Sequence, residues 1–327
     1  MKSLLLAFAI SLAVTSLLGP LIIPLLKRMK FGQNIRSDGP SRHLNKAGTP
    51  TMGGVMFLAG TVAGCFFLAR GRADVLIVLA ALLGFGLIGF LDDYMKVVLK
   101  RSLGLKARQK LLCQILLAAG LTFWIVYGLG RGTEIAIPFA GFFTPGGIQL
   151  ELHVWLFMAF AVMVIVSAAN AVNLTDGLDG LAAGISMLVA LALMIIALFV
   201  NRDGVAVIMA ALAGGCLGFL FYNRHPAKVF MGDTGSLALG GGLGAAAVIT
   251  RSELFLLIIG GIFVLETLSV IIQVVCYQTT GRRFFRMSPL HHHYELGGWS
   301  ENRVVLTFWT ATLIFAAIGL IGIYRAF

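Results

Sequence analysis

Apolar positions fall in runs of about 20 residues along almost the whole chain, the length a helix needs to cross a hydrocarbon layer about 30 Å thick. Ten runs qualify and predict ten membrane-spanning helices, over residues 3–26, 51–69, 75–91, 111–129, 153–172, 181–200, 205–221, 236–250, 254–278 and 303–325. The pattern is that of an all-α integral membrane protein, read as a single polytopic transmembrane domain over 1–327 with no internal repeat. The eighth run is short and holds Gly240, Gly241, Gly242 and Gly244, which suits close helix packing. Between 130 and 152 apolar and polar positions alternate on both sides of Pro145-Gly146-Gly147, which predicts a small hairpin. The first run opens like a signal peptide but continues to Leu26 and meets a basic cluster without a small-residue cleavage site, so it reads as a retained span.

Composition agrees and narrows the class. Hydrophobic residues make up 59% of the 327 positions and charged residues 12%, too few polar groups to clothe a water-facing surface and too many apolar ones for a disordered chain. The net charge of +11 is informative through its placement. Seventeen basic residues fall in the odd-numbered connections, among them Lys27, Arg28, Lys30, Arg36, Arg42, Lys46, Lys96, Lys100, Lys106 and Lys110, against seven on the other side. The excess makes the odd connections cytoplasmic and puts both termini outside. Cys65, Cys113, Cys216 and Cys276 sit in apolar stretches and suggest packing thiols rather than disulfides or a metal site.

The outer connections at 70–74, 201–204 and 251–253 barely suffice to turn, whereas the inner ones are long and rich in functional groups. Asp92 and Asp93 end the third run, where a carboxylate pair opposes the helix dipole and so calls for an offset. If that helix continues to Lys100, then Asp92, Lys96 and Lys100 form one charged face, an exposed ion-pair ladder in the simplest case. Adjacent carboxylates repel unless a proton or a cation lies between them, which suits a base or a divalent-metal site.

In NAVNLTDGLDG, Asn170, Asn173, Asp176 and Asp179 recur every three residues and share one side of a helical turn. Gly177 and Gly180 let backbone approach a ligand, although Asn, Asp and Gly also make an ordinary capped turn. Asp233 opens the eighth run between Gly232 and Gly235, either as a helix cap or, if a phosphate takes the helix N-terminus, as a Mg²⁺ ligand. Asn223 and Phe230 nearby suit a nucleobase, through hydrogen bonding and stacking. Arg282, Arg283 and Arg286 precede His291, His292 and His293. Consecutive helical residues point about 100° apart, so the three imidazoles are expected to make separate contacts, to phosphate in preference to one metal. Glu266 and Gln273 are polar groups at membrane depth and are expected to face protein or a cavity.

HLNKAGTPTMGG at 43–54, GFLDDYMKVVLK at 89–100, NAVNLTDGLDG at 170–180, FMGDTGSLALGG at 230–241 and SPLHHHYEL at 288–296, taken in order, resemble the phospho-N-acetylmuramoyl-pentapeptide transferase family. The resemblance covers essentially the whole chain. It implies ten transmembrane helices around a cytoplasmic active-site groove, a homodimer, and transfer of phospho-MurNAc-pentapeptide from its UDP carrier to undecaprenyl phosphate with Mg²⁺. Membrane lipids are the surroundings it implies, and nucleic acid has no part.

Carried over to this sequence, the resemblance makes Asp92 the group that deprotonates or orients the lipid phosphate, with Asp93 beside it, and Asp233 the Mg²⁺ ligand. Lys46, Asn173, Asp176, Asp179, Asn223, Phe230 and Gln273 would line the nucleotide-sugar site. His291, His292 and His293 would meet phosphate or sugar, His292 with a catalytic part, while Lys96 and Lys100 would help two anionic substrates approach. Two alternatives remain: a related polyprenyl-phosphate N-acetylhexosamine-1-phosphate transferase using UDP-GlcNAc, against which SPLHHHYELGGWSE speaks, and a transporter, which intramembrane Glu266 and glycine-rich helices would also suit.

Overall fold

The computed structural model describes residues 1–29, 48–66, 68, 71–101, 104–324 and 326. Twelve α-helices appear among them: α1 (Lys2–Arg28), α2 (Gly54–Phe66), α3 (Ala73–Val97), α4 (Ala107–Phe123), α5 (Val154–Thr175), α6 (Leu181–Phe199), α7 (Asp203–Asn223), α8 (Gly232–Ile249), α9 (Glu253–Ile259), α10 (Gly261–Thr280), α11 (Leu290–Leu296) and α12 (Glu301–Ile321). Eight are long and apolar enough to cross a membrane, α4 counting with the π-helical turn Trp124–Gly128 that extends it. The architecture is that of an all-helical integral membrane protein.

Two expected spans take other forms. Among the described residues the run at 51–69 is helical over the 13 residues of α2, and the run at 254–278 is two helices, α9 and α10, that meet at Gly260. The third helix stops at Val97, short of Lys100, which adopts a left-handed φ of 51° in the following turn. Asp92, Lys96 and Lys100 therefore do not form one helical face.

The glycine-rich α8 occupies the middle of the bundle, buried from Thr234 to Ile249 and packed chiefly on α3 and α5. Its small residues permit this: a Cβ on Gly240 would overlap the Ala168 carbonyl of α5, and one on Gly241 would meet Phe85 of α3 at 2.6 Å. Where side chains this small line an interface, backbones approach closely and dispersion replaces the hydrophobic drive that lipid does not supply.

At one end of α8 lies the hairpin expected near 130–152. Strands β1 (Glu134–Ala136) and β2 (Gln149–Glu151) pair antiparallel with Ile135 opposite Leu150, and a 3₁₀ turn at Ala140–Phe142 widens its tip. The fully buried Arg131 ties it down, donating to the carbonyls of Val248 and Glu134, pairing with Glu253 and lying over the Phe157 ring. The end of α12 is on the same side, since Phe139 N–H donates to the Gly322 carbonyl. The polar cluster described next gathers at the other end of α8.

Candidate active site

The N-terminus of α8 meets the C-terminal turns of α3 and α5 and the first turn of α4. A helix N-terminus leaves backbone N–H groups without partners, and here another helix supplies the acceptor. Asp93 of α3 accepts from the backbone N–H of Asp233 at 3.2 Å and of Thr234 at 2.9 Å, and from the Thr234 hydroxyl at 2.7 Å. The helices approach closely enough for this because Gly89 of α3 lies on the Asp233 carbonyl, where any Cβ would overlap. Asp93, 5% exposed, thus caps α8 from outside. Asp233 itself caps nothing: the N-cap position is Met231, and the Asp233 carboxylate points away from its own helix.

That carboxylate is the hub of the cluster. Its Oδ2 accepts from Lys96 Nζ at 2.9 Å and Lys110 Nζ at 2.8 Å, and its Oδ1 from Asn173 Nδ2 at 2.9 Å. Asn173 also donates to Ser236 Oγ at 2.8 Å, which fixes the amide between α5 and α8. Asp92, 2% exposed, shares the same two ammonium groups, with Lys96 Nζ at 2.6 Å and Lys110 Nζ at 3.6 Å. The other Asp92 oxygen accepts from Leu105 N–H at 2.7 Å, which brings Leu105, just before α4, against the site. Lys110 takes the place expected of Lys100, which stays exposed.

Asp176 follows α5 directly, and among the described residues neither a hydrogen bond nor an ion pair holds its carboxyl. Partial burial, then the charges of Asp233, Asp93 and Asp179, push its pKa up to about 8. Asp92 and Asp233 face two lysines, Asp93 faces the N-terminus of α8, and Asp176 adds a further negative charge once it loses its proton. An oxygen-rich set of this kind suits a hard divalent cation such as Mg²⁺ and not a soft one. The electrostatic strain on Asp176 is what such an ion would relieve.

The three-residue spacing of Asn173, Asp176 and Asp179 does not survive as one face, because α5 ends at Thr175. Asp179 turns to the other side of the loop, accepting from Ala227 N–H at 3.0 Å and facing His225 Nδ1 at 3.0 Å, with Glu301 Oε2 3.1 Å from the same nitrogen. These three residues are spaced as metal donors would be, but the imidazole between the two carboxylates already accounts for their distances. Asn223 spends its amide inside the protein, on Gly180 N–H and the Val229 carbonyl. Gln273 likewise holds the 284–285 backbone against α10 through both ends of its amide. Neither has the open amide expected for a nucleotide. Phe230, which follows the Val229 held by Asn223, is half-buried, and Lys46 lies outside the described residues.

The histidines make separate contacts, as their spacing predicts. His291 is fully buried and paired to Glu266; His292 faces Glu295 at 2.8 Å; His293 accepts from Arg286 N–H at 3.2 Å. Lys110, Leu105 and Ser236 are the parts of the cluster that sequence reasoning did not single out. Lys110 carried one signal: a cation in the first turn of a helix opposes the dipole and asks for an acidic partner.

An apolar groove of about 240 Å³ runs between α5 and the α9–α10 pair, lined among others by Phe160, Ala168, Val172, Leu257, Phe263 and Leu268. Val172 brings it to the residue before Asn173.

The chain is also similar to known proteins. Residues 52–251 match the pattern of glycosyl transferase family 4. The chain is 72% identical to phospho-N-acetylmuramoyl-pentapeptide-transferase of Pelotomaculum thermopropionicum, with 98% of each chain covered. It is 59% identical to the protein of that name from Desulforudis audaxviator over 99% of each. For the one from Halalkalibacterium halodurans the figure is 50%, over 98% of this chain and 97% of the relative.

Proposed function

The chain belongs to glycosyl transferase family 4, and on that premise we propose that it moves phospho-MurNAc-pentapeptide from UDP-MurNAc-pentapeptide to undecaprenyl phosphate, making lipid I and UMP for peptidoglycan. The observation that carries this reading is the meeting of Asp92, Asp176, Asp233, Lys96 and Lys110 at one end of the bundle, beside an apolar groove. A water-borne anion and a lipid phosphate meet only at headgroup level, and the cluster is built for that depth.

An oxygen of the lipid phosphate attacks the β-phosphorus, the bond from that phosphorus to the bridging oxygen breaks, and UMP leaves with the electron pair. Asp92 takes the proton from the lipid phosphate or orients it. Lys96 and Lys110 offset the charge of two anions brought together, which is most of what phosphoryl transfer asks of a protein. Asp233, with Asp176 beside it, would hold Mg²⁺, which when bound neutralises the pyrophosphate and stabilises the departing UMP. Asn173 fixes the Asp233 carboxylate. Phe230, His292, His293 and Lys46 are assigned to the nucleotide sugar, and Asp179, Asn223 and Gln273 to holding the loops that line it. The isoprenoid tail is assigned to the groove between α5 and α10.

The active end is assigned to the cytoplasm from the basic residues in the odd connections, with both termini outside. α2 and α8 bring the eight spans to a set of ten, with the broken α9–α10 pair counted as one, and the working unit is a homodimer.

Purified protein with Mg²⁺, undecaprenyl phosphate and UDP-MurNAc-pentapeptide should release UMP and form lipid I. Equal or faster turnover with UDP-GlcNAc would move the assignment to the hexosamine branch, and solute flux in proteoliposomes without phosphate exchange would make it a transporter. A second expected result concerns pH. Asp176 keeps its proton below about 8 and must lose it to bind a cation. Divalent-ion affinity should therefore rise with pH up to about 8 and level off above it, as followed by Mn²⁺ titration. A pH-independent affinity would remove Asp176 from the set of ligands.

A further inference from the structure

Glu266 is fully buried in α10, where an ionisable group is costly unless it has a partner and a task. Its partner comes from α11: one carboxylate oxygen, Oε1, accepts from the His291 backbone N–H at 3.2 Å and faces His291 Nδ1 at 3.1 Å. Two contacts from one residue to one oxygen fix both the start of α11 and the plane of the imidazole. They also select the tautomer with its hydrogen on Nδ1, leaving Nε2 bare. Neither Nε2 nor the second carboxylate oxygen has a hydrogen-bond partner among the described residues. A pair with two unsatisfied buried atoms is a poor device for stability.

The bare Nε2 edge lies on Gly177, so closely that a Cβ there would overlap the ring. Gly177 is the neighbour of Asp176 in the turn after α5. The far side of this turn is held firmly, by Asn223 on Gly180 N–H and by Glu301 on Asp179 N–H. On the near side no side-chain bond among the described residues holds Asp176, and the turn is bounded by the end of α5 and the His291 ring.

We propose that Glu266 is a positioning residue: by holding His291 against Gly177 it sets where the Asp176 carboxylate stands, and with it the affinity of the acidic cluster for a divalent cation. The inference rests on the reading of Asp176 as a ligand, and the controls separate the two.

Mn²⁺ binding to the purified full-length protein, followed by electron paramagnetic resonance, needs no turnover. Glu266→Leu should weaken binding about 10-fold or more, the usual scale for a lost outer-shell partner. Glu266→Gln keeps an acceptor for both His291 contacts and should stay near wild type. Gly177→Ala, with the pair intact, should weaken binding as Glu266→Leu does, and it keeps the test decisive if Glu266→Leu fails to fold. Wild-type Mn²⁺ affinity in Glu266→Leu or Gly177→Ala, or equal losses in the Gln and Leu variants, would overturn the proposal. Asp176→Asn is the control: if it binds as wild type, the ligand reading fails first, whereas weakening there alone condemns only the role of Glu266.

Discussion

Replacing Asp233 by asparagine is expected to lower turnover about 10²–10³-fold, the usual cost of losing one preorganised charge-stabilising group, while the protein keeps its fold. Asp233 stands in the first turn of α8 without capping it, since Asp93 supplies that acceptor. Asparagine therefore leaves the helix start intact and removes only charge. Lys96 and Lys110 keep Asp92 as a partner and lose half of their anionic surroundings. If Asp233 holds the divalent ion as proposed, the ion loses an anionic ligand, so excess Mg²⁺ should recover part of the rate. Measuring turnover against Mg²⁺ beside a melting curve checks both halves. A variant that keeps more than about a third of wild-type turnover at limiting Mg²⁺ would contradict the ratio expected of such a group and leave Asp176 or Asp92 as the principal ligand.

The neighbouring pair should divide its labour. Asp93→Ala strands two backbone N–H groups and the Thr234 hydroxyl at a nearly closed junction. At about 1–3 kcal/mol for each donor left without an acceptor, with water reaching one of them, the loss is about 3–5 kcal/mol. Asp92→Ala removes an acceptor from Lys96 and Lys110, which still have Asp233, and from the half-exposed Leu105 N–H, which water can reach, so it should melt nearer wild type and fail in catalysis instead. Melting of the two variants in the same detergent decides the matter. Equal melting temperatures would remove Asp93 from its role as the cap of α8.

Hydrophobic run length was enough to find the eight helices long and apolar enough to cross a membrane, because a helix alone in lipid must satisfy its own backbone and so announces itself by length. The hairpin was legible for a similar reason: alternation around Pro145-Gly146-Gly147 has no helical reading. Helix ends were less legible. Val97 ends α3 and Gly260 divides the ninth run, and neither shows in average hydropathy.

In the site, the sequence marks which residue types collect at helix ends but not which neighbour each will find. Asp92 and Asp93 are adjacent, yet one faces two lysines and the other a helix N-terminus, since successive helical positions point about 100° apart. Lys110 reaches the cluster from another helix, a contact no spacing within one segment encodes. Asn173, Asp176 and Asp179 look like one series until α5 stops at Thr175 and the chain turns. Glu266 shows the opposite case: its burial cost in the membrane demands a partner, but only packing names His291.

The most direct measurement follows the β-phosphate. With UDP-MurNAc-pentapeptide labelled at the β-phosphorus and undecaprenyl phosphate in nanodiscs, the account predicts that label passes into the lipid phase in step with UMP release, needs Mg²⁺, and all but stops in Asp233→Asn. Label that stays in water as a nucleotide or free phosphate, or lipid labelling that persists unchanged in Asp233→Asn, would contradict it.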